Sequence, residues 1–343
     1  MTQVKSVLVT GGAGYIGSHT VRLLVKSGYK IVVLDNLVFG HQEAIVDKEV
    51  TLIKGDIGDK SLLETLFSEH RFDAVMHFAA YAYVGESVQN PAKYYFNNVC
   101  SPLVLLDVMR KHQCNNFIFS STCATYGNPV YTPIDENHPQ NPINPYGQSK
   151  YMLELILKDY NKAYGLNYVF LRYFNASGAS EDGVIGEDHD PETHLIPLIL
   201  DAAKGERANI TVFGTDYDTP DGTCIRDYIH ILDLGKAHIK ALEYLINGGK
   251  SIACNLGTGK GASVKEVITI AEEVTGKKIP VVYGERRPGD PSELVANPAL
   301  AKQVLGWEAE YKDLKEIIKT AWAWANGPRK GRFAPKSTET AIK

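Results

Sequence analysis

From Ser6 to Tyr173 the chain alternates between two textures: short apolar runs that end in Gly, Asp or Ser, and longer segments whose apolar residues recur every three or four positions. Ser6 to Thr10, Lys30 to Leu34, Thr51 to Ile53, Ala74 to Phe78, Phe117 to Ser120 and Val169 to Leu171 are of the first kind and predict buried strands. Between them, Val21, Leu24 and Val25, then Leu62, Leu63, Leu66 and Phe67, then Val99 to Met109 despite Pro102, and finally Met152, Leu153, Leu155, Ile156 and Leu157 predict helices. Asp59 is placed to cap the second helix, and Pro145 to open the fourth at its first turn, where a missing N–H costs little. Strands alternating with helices predict an α/β protein with a doubly wound parallel sheet whose ligands sit at the carboxyl ends of its strands.

Beyond about residue 176 the pattern changes. Gly178 to Thr193 is polar and glycine-punctuated, Asp216 to Thr223 is a second loop, and helices are predicted at Leu234 to Ile246 and Val264 to Thr275. Ser263-Val264-Lys265-Glu266 has capping-box spacing and marks the start of the last of these. The reading is a first domain over 1–175 and a smaller, mixed α/β domain over 176–343. Some of its segments are expected to pack back on the first domain, and the tail over 328–343 to fray.

The first strand runs into Gly11-Gly12-Ala13-Gly14-Tyr15-Ile16-Gly17 and a helix, and the second strand ends on Asp35. Strand, glycine turn, helix, strand and acid make the dinucleotide-binding fingerprint of a Rossmann-type sheet, with its glycines more widely spaced than in G-x-G-x-x-G. The glycines let backbone approach a pyrophosphate, the helix N-terminus offers unpaired N–H donors, and Asp35 can accept from ribose hydroxyls. Asp35 also repels a 2′-phosphate and Asn36-Leu37 offers no arginine to hold one, which favours NAD over NADP. The other strand ends collect Asp56, Phe78, Thr122 and Tyr173. Tyr146 and Lys150, four residues apart, share a helix face; a phenol is a poor base at its ordinary pKa of about 10, but a neighbouring cation favours the phenolate.

A net charge of −4 argues against a nucleic-acid partner while leaving room for a local basic site that takes a small anion. Cys100, Cys114, Cys123, Cys224 and Cys254 form no Cys-x-x-Cys pair and read as buried or half-buried free thiols in a reducing compartment. With no signal-peptide core and no apolar run long enough for a bilayer, no membrane contact is expected and the cytoplasm is the expected address. Asp188 to His194 reads as a solvated loop and not a metal site, because proline interrupts it and His-Glu-x-x-His spacing is lacking. Cys123 reads as a packing residue, Tyr81 to Tyr83 and Tyr94 to Phe96 as packing around a cofactor, and Trp307, Trp322 and Trp324 as a C-terminal core.

Thr10 to Gly17, Ser120-Ser121-Thr122 and Tyr146-x-x-x-Lys150 together resemble the extended short-chain dehydrogenase/reductases. The resemblance narrows to their UDP-hexose 4-epimerase branch through Phe78 to Ser87, Asn144-Pro145-Tyr146-Gly147, Leu171-Arg172-Tyr173-Phe174-Asn175, Asp221-Gly222-Thr223, Ile225-Arg226-Asp227-Tyr228 and Arg286-Arg287-Pro288-Gly289-Asp290. It implies redox-neutral inversion at C4 of a UDP-sugar through a 4-keto intermediate, with NAD bound throughout, no metal, and a homodimer. Tyr146 is then the base on the 4-hydroxyl, Lys150 binds the nicotinamide ribose and lowers the phenol pKa towards neutrality, and Thr122 bridges phenol and substrate.

By the same resemblance Gly11, Gly14, Tyr15, Ile16, Gly17, Asp35, Asn36, Asp56, Ile57, Phe78, Ala79, Ala80, Asn97 and Tyr173 join Tyr146 and Lys150 around NAD. Asn175, His194, Leu195, Phe213, Arg226, Arg287, Asp290 and Leu294 join Thr122 and Tyr146 around the UDP-sugar. Four positions depart from the branch's commoner residues. Ala82 stands in place of lysine, Thr122 of serine and His194 of asparagine, while Leu294 lies between the tyrosine that restricts substrates to hexoses and the small residue that admits N-acetylhexosamines. UDP-glucose and UDP-galactose are the expected pair, then the N-acetylhexosamines, with UDP-xylose and UDP-arabinose as an alternative. A dehydratase would need an Asp-Glu pair after Thr122, where Cys123-Ala124 stands; a reductase would consume free reduced cofactor, and an NAD-sensing regulator would not need Thr122, Tyr146 and Lys150 intact.

Overall fold

The computed structural model describes residues 5–287 and 290–333. Six strands precede residue 175: β1 (Ser6–Thr10), β2 (Lys30–Asp35), β3 (Thr51–Lys54), β4 (Ala74–His77), β5 (Asn116–Thr122) and β6 (Asn167–Tyr173). The helices among them are α1 (Tyr15–Lys26), α2 (Lys60–Glu69), α3 (Val84–Gln89), α4 (Pro91–Tyr95), α5 (Ser101–Lys111) and α6 (Pro145–Tyr164). The predicted helix over Val99 to Met109 begins later, because a π-helical turn at Phe96–Cys100 precedes it and Pro102 falls in the first turn of α5, where its missing N–H is tolerated. The side chain of Asp59 caps α2 by accepting from the Leu62 N–H at 3.0 Å.

The later elements are β7 (Asn175–Ser177), α7 (Leu195–Lys204), β8 (Ile210–Phe213), β9 (Ile225–His230), α8 (Ile231–Ile246), β10 (Ile252–Leu256), β11 (Gly261–Ser263), α9 (Val264–Thr275), β12 (Val281–Gly284), β13 (Glu293–Leu294), α10 (Ala299–Leu305) and α11 (Leu314–Ala325). Ser263 and Glu266 form the expected capping box at the start of α9. β10 joins the first six strands in one parallel sheet of order β10-β6-β5-β4-β1-β2-β3.

The strands' uniform apolarity follows from burial on both faces. Val7, Val9, Ile31 and Val33 pack with Val21 and Leu24 of α1 and Leu234 and Leu242 of α8, whereas Leu8, Val32 and Leu34 pack with Leu63, Leu105, Leu153 and Leu157 of α2, α5 and α6. Each such side chain stabilises the fold by about 1.5–3 kcal/mol, so a one-residue slip of any strand, which swaps its two faces, is strongly disfavoured.

In the smaller region β9 pairs antiparallel with β11 and parallel with β7 and β13, and β8 pairs with β12. Its core is shared by α7, α9 and α11. Two expectations need correction. Trp307 belongs to the core of the large sheet, where its indole donates to the Asp233 carbonyl at 2.9 Å, and Cys100 is exposed because it ends the π-helical turn on the solvent side. None of the helices among the described residues is long and apolar enough to cross a membrane.

Candidate active site

The sheet order reverses between β1 and β4, and the Gly11 to Gly17 turn fills that crevice. Gly11 has φ +71°, and a Cβ there would lie 2.5 Å from the Ala79 nitrogen; a Cβ on Gly17 would lie 2.2 Å from the Gly11 carbonyl oxygen. Gly14 caps α1 without a side-chain hydrogen bond, so no cap side chain satisfies the first N–H groups of the helix, on Tyr15 and Ile16, a setting that suits an anion. Asp35 braces the turn by accepting from the Ala13 N–H at 2.9 Å and the Leu37 N–H at 2.8 Å. Asn36 donates to Asp56 at 3.0 Å, Ile57 is buried beside them, and Phe78, Ala79 and Ala80 continue from β4. Asn97 donates to Asn98 at 2.9 Å. These groups fit a dinucleotide. Gly17→Ala is expected to cost about 1–3 kcal/mol through overpacking and to release NAD, which cofactor content and a denaturant midpoint will read.

The catalytic corner is set by the start of α6. Asn144 caps the helix by accepting from the Gly147 N–H at 2.9 Å, and a Cβ on Gly147 would lie 2.5 Å from the Ala124 carbonyl oxygen. The helix therefore presses against the turn after β5, and the Tyr146 phenol lies within reach of Thr122, whose side chain favours the phenolate. One turn on, Lys150 is 4% exposed and donates from Nζ to the Ser120 carbonyl at 2.9 Å, using one of its three donors. Tyr173 shares a hydrogen bond with the Ser120 hydroxyl.

Burial lowers the Lys150 pKa to about 7 and pushes Tyr146 up to about 12, an effect that Thr122 only partly offsets. The expected near-neutral phenol is therefore not produced by the protein groups alone. A desolvated ammonium with a weakened hold on its proton lends the phenolate little charge. Burial likewise pushes the Cys123 thiol up to about 12, in keeping with a packing role beside Phe174 and Leu294.

On the opposite side, β7, β9 and β13 bring Asn175, Arg226 and Leu294 onto one small sheet, with Asn175 opposite Tyr228 and Leu294 opposite Arg226. Arg226 is held by Asp290 and by the Pro291 carbonyl at 2.9 Å, Asn175 donates to the Asp227 carbonyl at 3.2 Å, and Arg287 lies 4.0 Å from the centre of the Phe213 ring. Leu195 opens α7. His194, just before it, directs Nδ1 to Glu187 at 2.8 Å and Glu192 at 2.9 Å. Pro288 and Gly289 lie outside the described residues.

The profile of the NAD dependent epimerase/dehydratase family matches residues 7–257. The chain belongs to this family. A UDP-glucose 4-epimerase of Rhizobium meliloti is 53% identical over 329 residues, covering 96% of this chain and 99% of its own. The crystal structure of UDP-glucose 4-epimerase from Brucella ovis in complex with NAD superposes with a TM-score of 0.91 at 53% identity, covering 93% of this chain and 98% of that one. The enzyme from Bifidobacterium longum in complex with NAD+ and UDP does so with 0.91 at 41% identity, covering 96% and 100%.

On this epimerase/dehydratase frame several contributors went unforeseen. Asn98 donates to the Tyr81 carbonyl and to Ser149, each at 3.0 Å, tying the loop after β4 to α6. Glu154 pairs with Arg172 at 2.6 Å and accepts from Ser121, the neighbour of Thr122, at 2.7 Å. The signal for Glu154 was available, since 146, 150 and 154 continue one four-residue series along the same helix face. The loop from Asp188 to His194 is exposed at Asp190, Pro191, Thr193 and His194, as expected, but Glu192 within it and Glu187 just before it expose only 6% and 7% of their side chains, and the His189 ring packs against Tyr15 and Tyr83.

Proposed function

We propose that this chain is an NAD-dependent isomerase that inverts C4 of UDP-sugars without net oxidation, with UDP-glucose and UDP-galactose as its main pair. The observation that carries this reading is Tyr146 against Thr122, one helix turn from the buried Lys150, at the carboxyl end of β5 in a Rossmann-type sheet. Bound NAD supplies a hydride acceptor and donor for C4. Tyr146 takes the proton of the 4-hydroxyl in the first half-reaction and returns one in the second, Thr122 holds the sugar oxygen against the phenol, and the two free donors of Lys150 hold the nicotinamide ribose.

Arg226 and Arg287 pair with the diphosphate, while Asn175, Leu195 and Phe213 hold the uridine end, so that the 4-keto sugar can turn over while its nucleotide stays fixed. Purified protein is expected to convert UDP-galactose to UDP-glucose with no added cofactor. Oxidation of added NADH in proportion to the sugar converted would replace this reading with a reductase.

Substrate range rests on Leu294, which packs in one cluster with Cys123, the neighbour of Thr122. Leu294→Ala is expected to raise turnover of the N-acetylhexosamine pair relative to the hexose pair by roughly tenfold, the value of a few methylenes in a pocket. The ratio from parallel assays checks this, and faster UDP-xylose turnover than UDP-glucose turnover by the parent would reverse the substrate ranking.

The division of labour follows: residues 1–175 hold NAD and 176–343 hold the UDP-sugar, with α8 and β10 lent back to the first sheet. A homodimer is supported by exposed Phe96, Val88, Leu103 and Leu155, which ride on mutually packed α3, α5, α6 and the π-helical turn. Light scattering is expected to give twice the 37.8 kDa chain mass. Five free cysteines support a cytoplasmic address.

A further inference from the structure

Outside the catalytic corner, the segment between β7 and α7 gathers Glu187, His189, Glu192 and His194 so that one ligating atom of each lies within 4.8 Å of all the others. The individual separations are tighter. His189 Nδ1 stands 3.2 Å from Glu187 and 3.6 Å from Glu192, and His194 Nδ1 stands 2.8 Å and 2.9 Å from the same two carboxylates. Four ligands at about 2.0–2.1 Å from a tetrahedral cation lie about 3.3 Å apart, and these separations, each taken to the nearer oxygen of the carboxylate, bracket that value, so the cluster is of a size to close on one ion.

Two further observations point to a cation. The His189 Nδ1 atom is buried and makes no well-aligned hydrogen bond, although it lies 3.2 Å and 3.6 Å from the two carboxylates. Those carboxylates, exposed by only 7% and 6%, bring two negative charges into the protein. In the absence of an ion the two histidines, whose pKa values these carboxylates raise, balance them as imidazolium ions; a divalent ion does the same with both rings neutral, so metal uptake displaces two protons.

We propose that Glu187, His189, Glu192 and His194 form a divalent-cation site of the zinc class, structural in role. Two imidazole nitrogens and two carboxylate oxygens are a borderline donor set that suits zinc over magnesium or calcium, which prefer oxygen alone. Its position gives it a task. The His189 ring meets Tyr15 edge-on at 6.2 Å and Tyr83 at 6.1 Å, and Tyr15 donates to the Gly178 carbonyl at 2.6 Å. An ion here locks the 187–194 segment against the first turn of α1 and fixes the start of α7 at Leu195. Zinc is thus a fastener between the cofactor turn and the substrate side, and takes no part in hydride transfer.

The test is zinc uptake by full-length protein stripped with a chelator and dialysed. Titration of Zn2+ against a chromogenic chelator is expected to give about one tight equivalent per chain, and a hundredfold excess over Kd to raise Tm by roughly 5 °C or more. His189→Ala and Glu192→Gln are each expected to lose the tight equivalent and the Tm rise, while Cys100→Ser, which removes the exposed thiol, keeps both. No tight equivalent in the parent protein would overturn the proposal, whatever the variants do; so would retention in His189→Ala or loss in Cys100→Ser.

Discussion

Tyr146→Phe is expected to retain NAD and to lose turnover by roughly 10²–10⁴-fold, the usual contribution of a positioned general base. The substitution removes one oxygen and leaves the ring, so the packing of α6 against the turn after β5, set by Asn144 and Gly147, is preserved. In the protein alone burial penalises the phenolate and pushes the phenol up to about 12, and the neighbouring Thr122 recovers only part of that. The phenolate therefore becomes accessible only when positive charge enters the pocket, and the parent enzyme's activity is expected to rise with pH through a phenol pKa well below 12 once NAD is bound. That limb should vanish in Tyr146→Phe. Steady-state rates and the NAD content of the purified variant check the two halves separately; parent-like turnover in the variant would remove Tyr146 from the role of base.

The large sheet was legible in the sequence because β1, β2, β4, β5 and β6 are buried on both faces over most of their length and so read as apolar runs, with the half-exposed β3 closing one edge. β10 was not legible for a physical reason: its Asn255 is fully buried, where a sequence pattern calls for an apolar residue, and it survives there by donating to the Ile134 carbonyl at 2.9 Å and accepting from Tyr126 at 2.6 Å. Most of the small sheet was equally hidden, since β7, β11 and β13, with two or three residues each, carry too few positions for a period to show.

At the site, motifs carried by the backbone could be read locally. The Gly11 to Gly17 turn and the Tyr146–Lys150 pair need only their own segment. What brings Thr122 to Tyr146 is a long-range contact, Gly147 against Ala124, and the gathering of Glu187, His189, Glu192 and His194 depends on the fold beneath Tyr15 and Tyr83. Spacing in sequence does not encode such contacts. Nor does the spacing of Tyr146 and Lys150 encode the phenol's acidity in the protein alone, where burial outweighs a cation that is itself desolvated.

The second large effect concerns Glu154. Its carboxylate, fully buried, receives Arg172 through Nε at 2.9 Å and Nη2 at 2.6 Å, and also accepts from Ser121 at 2.7 Å and Gln140 at 3.0 Å. Arg172 completes its donors with Tyr126 at 2.9 Å and Gln140 at 3.1 Å. Removing one partner strands a buried charge, so Glu154→Ala is expected to cost about 3–5 kcal/mol of stability, read as a lower denaturant midpoint. Replacing both partners by leucine avoids the stranded charge and is expected to recover much of that loss, because desolvation of the ion pair offsets most of its attraction. Stability and catalysis then separate: the doubly substituted protein folds, but Ser121 has lost its acceptor and Thr122 beside it is no longer held against Tyr146, so turnover should stay depressed while NAD is retained. A cost below about 1 kcal/mol for Glu154→Ala would assign the pair to the weak class of surface ion pairs. Parent-like turnover in the double variant would free the Thr122–Tyr146 contact from any dependence on this network.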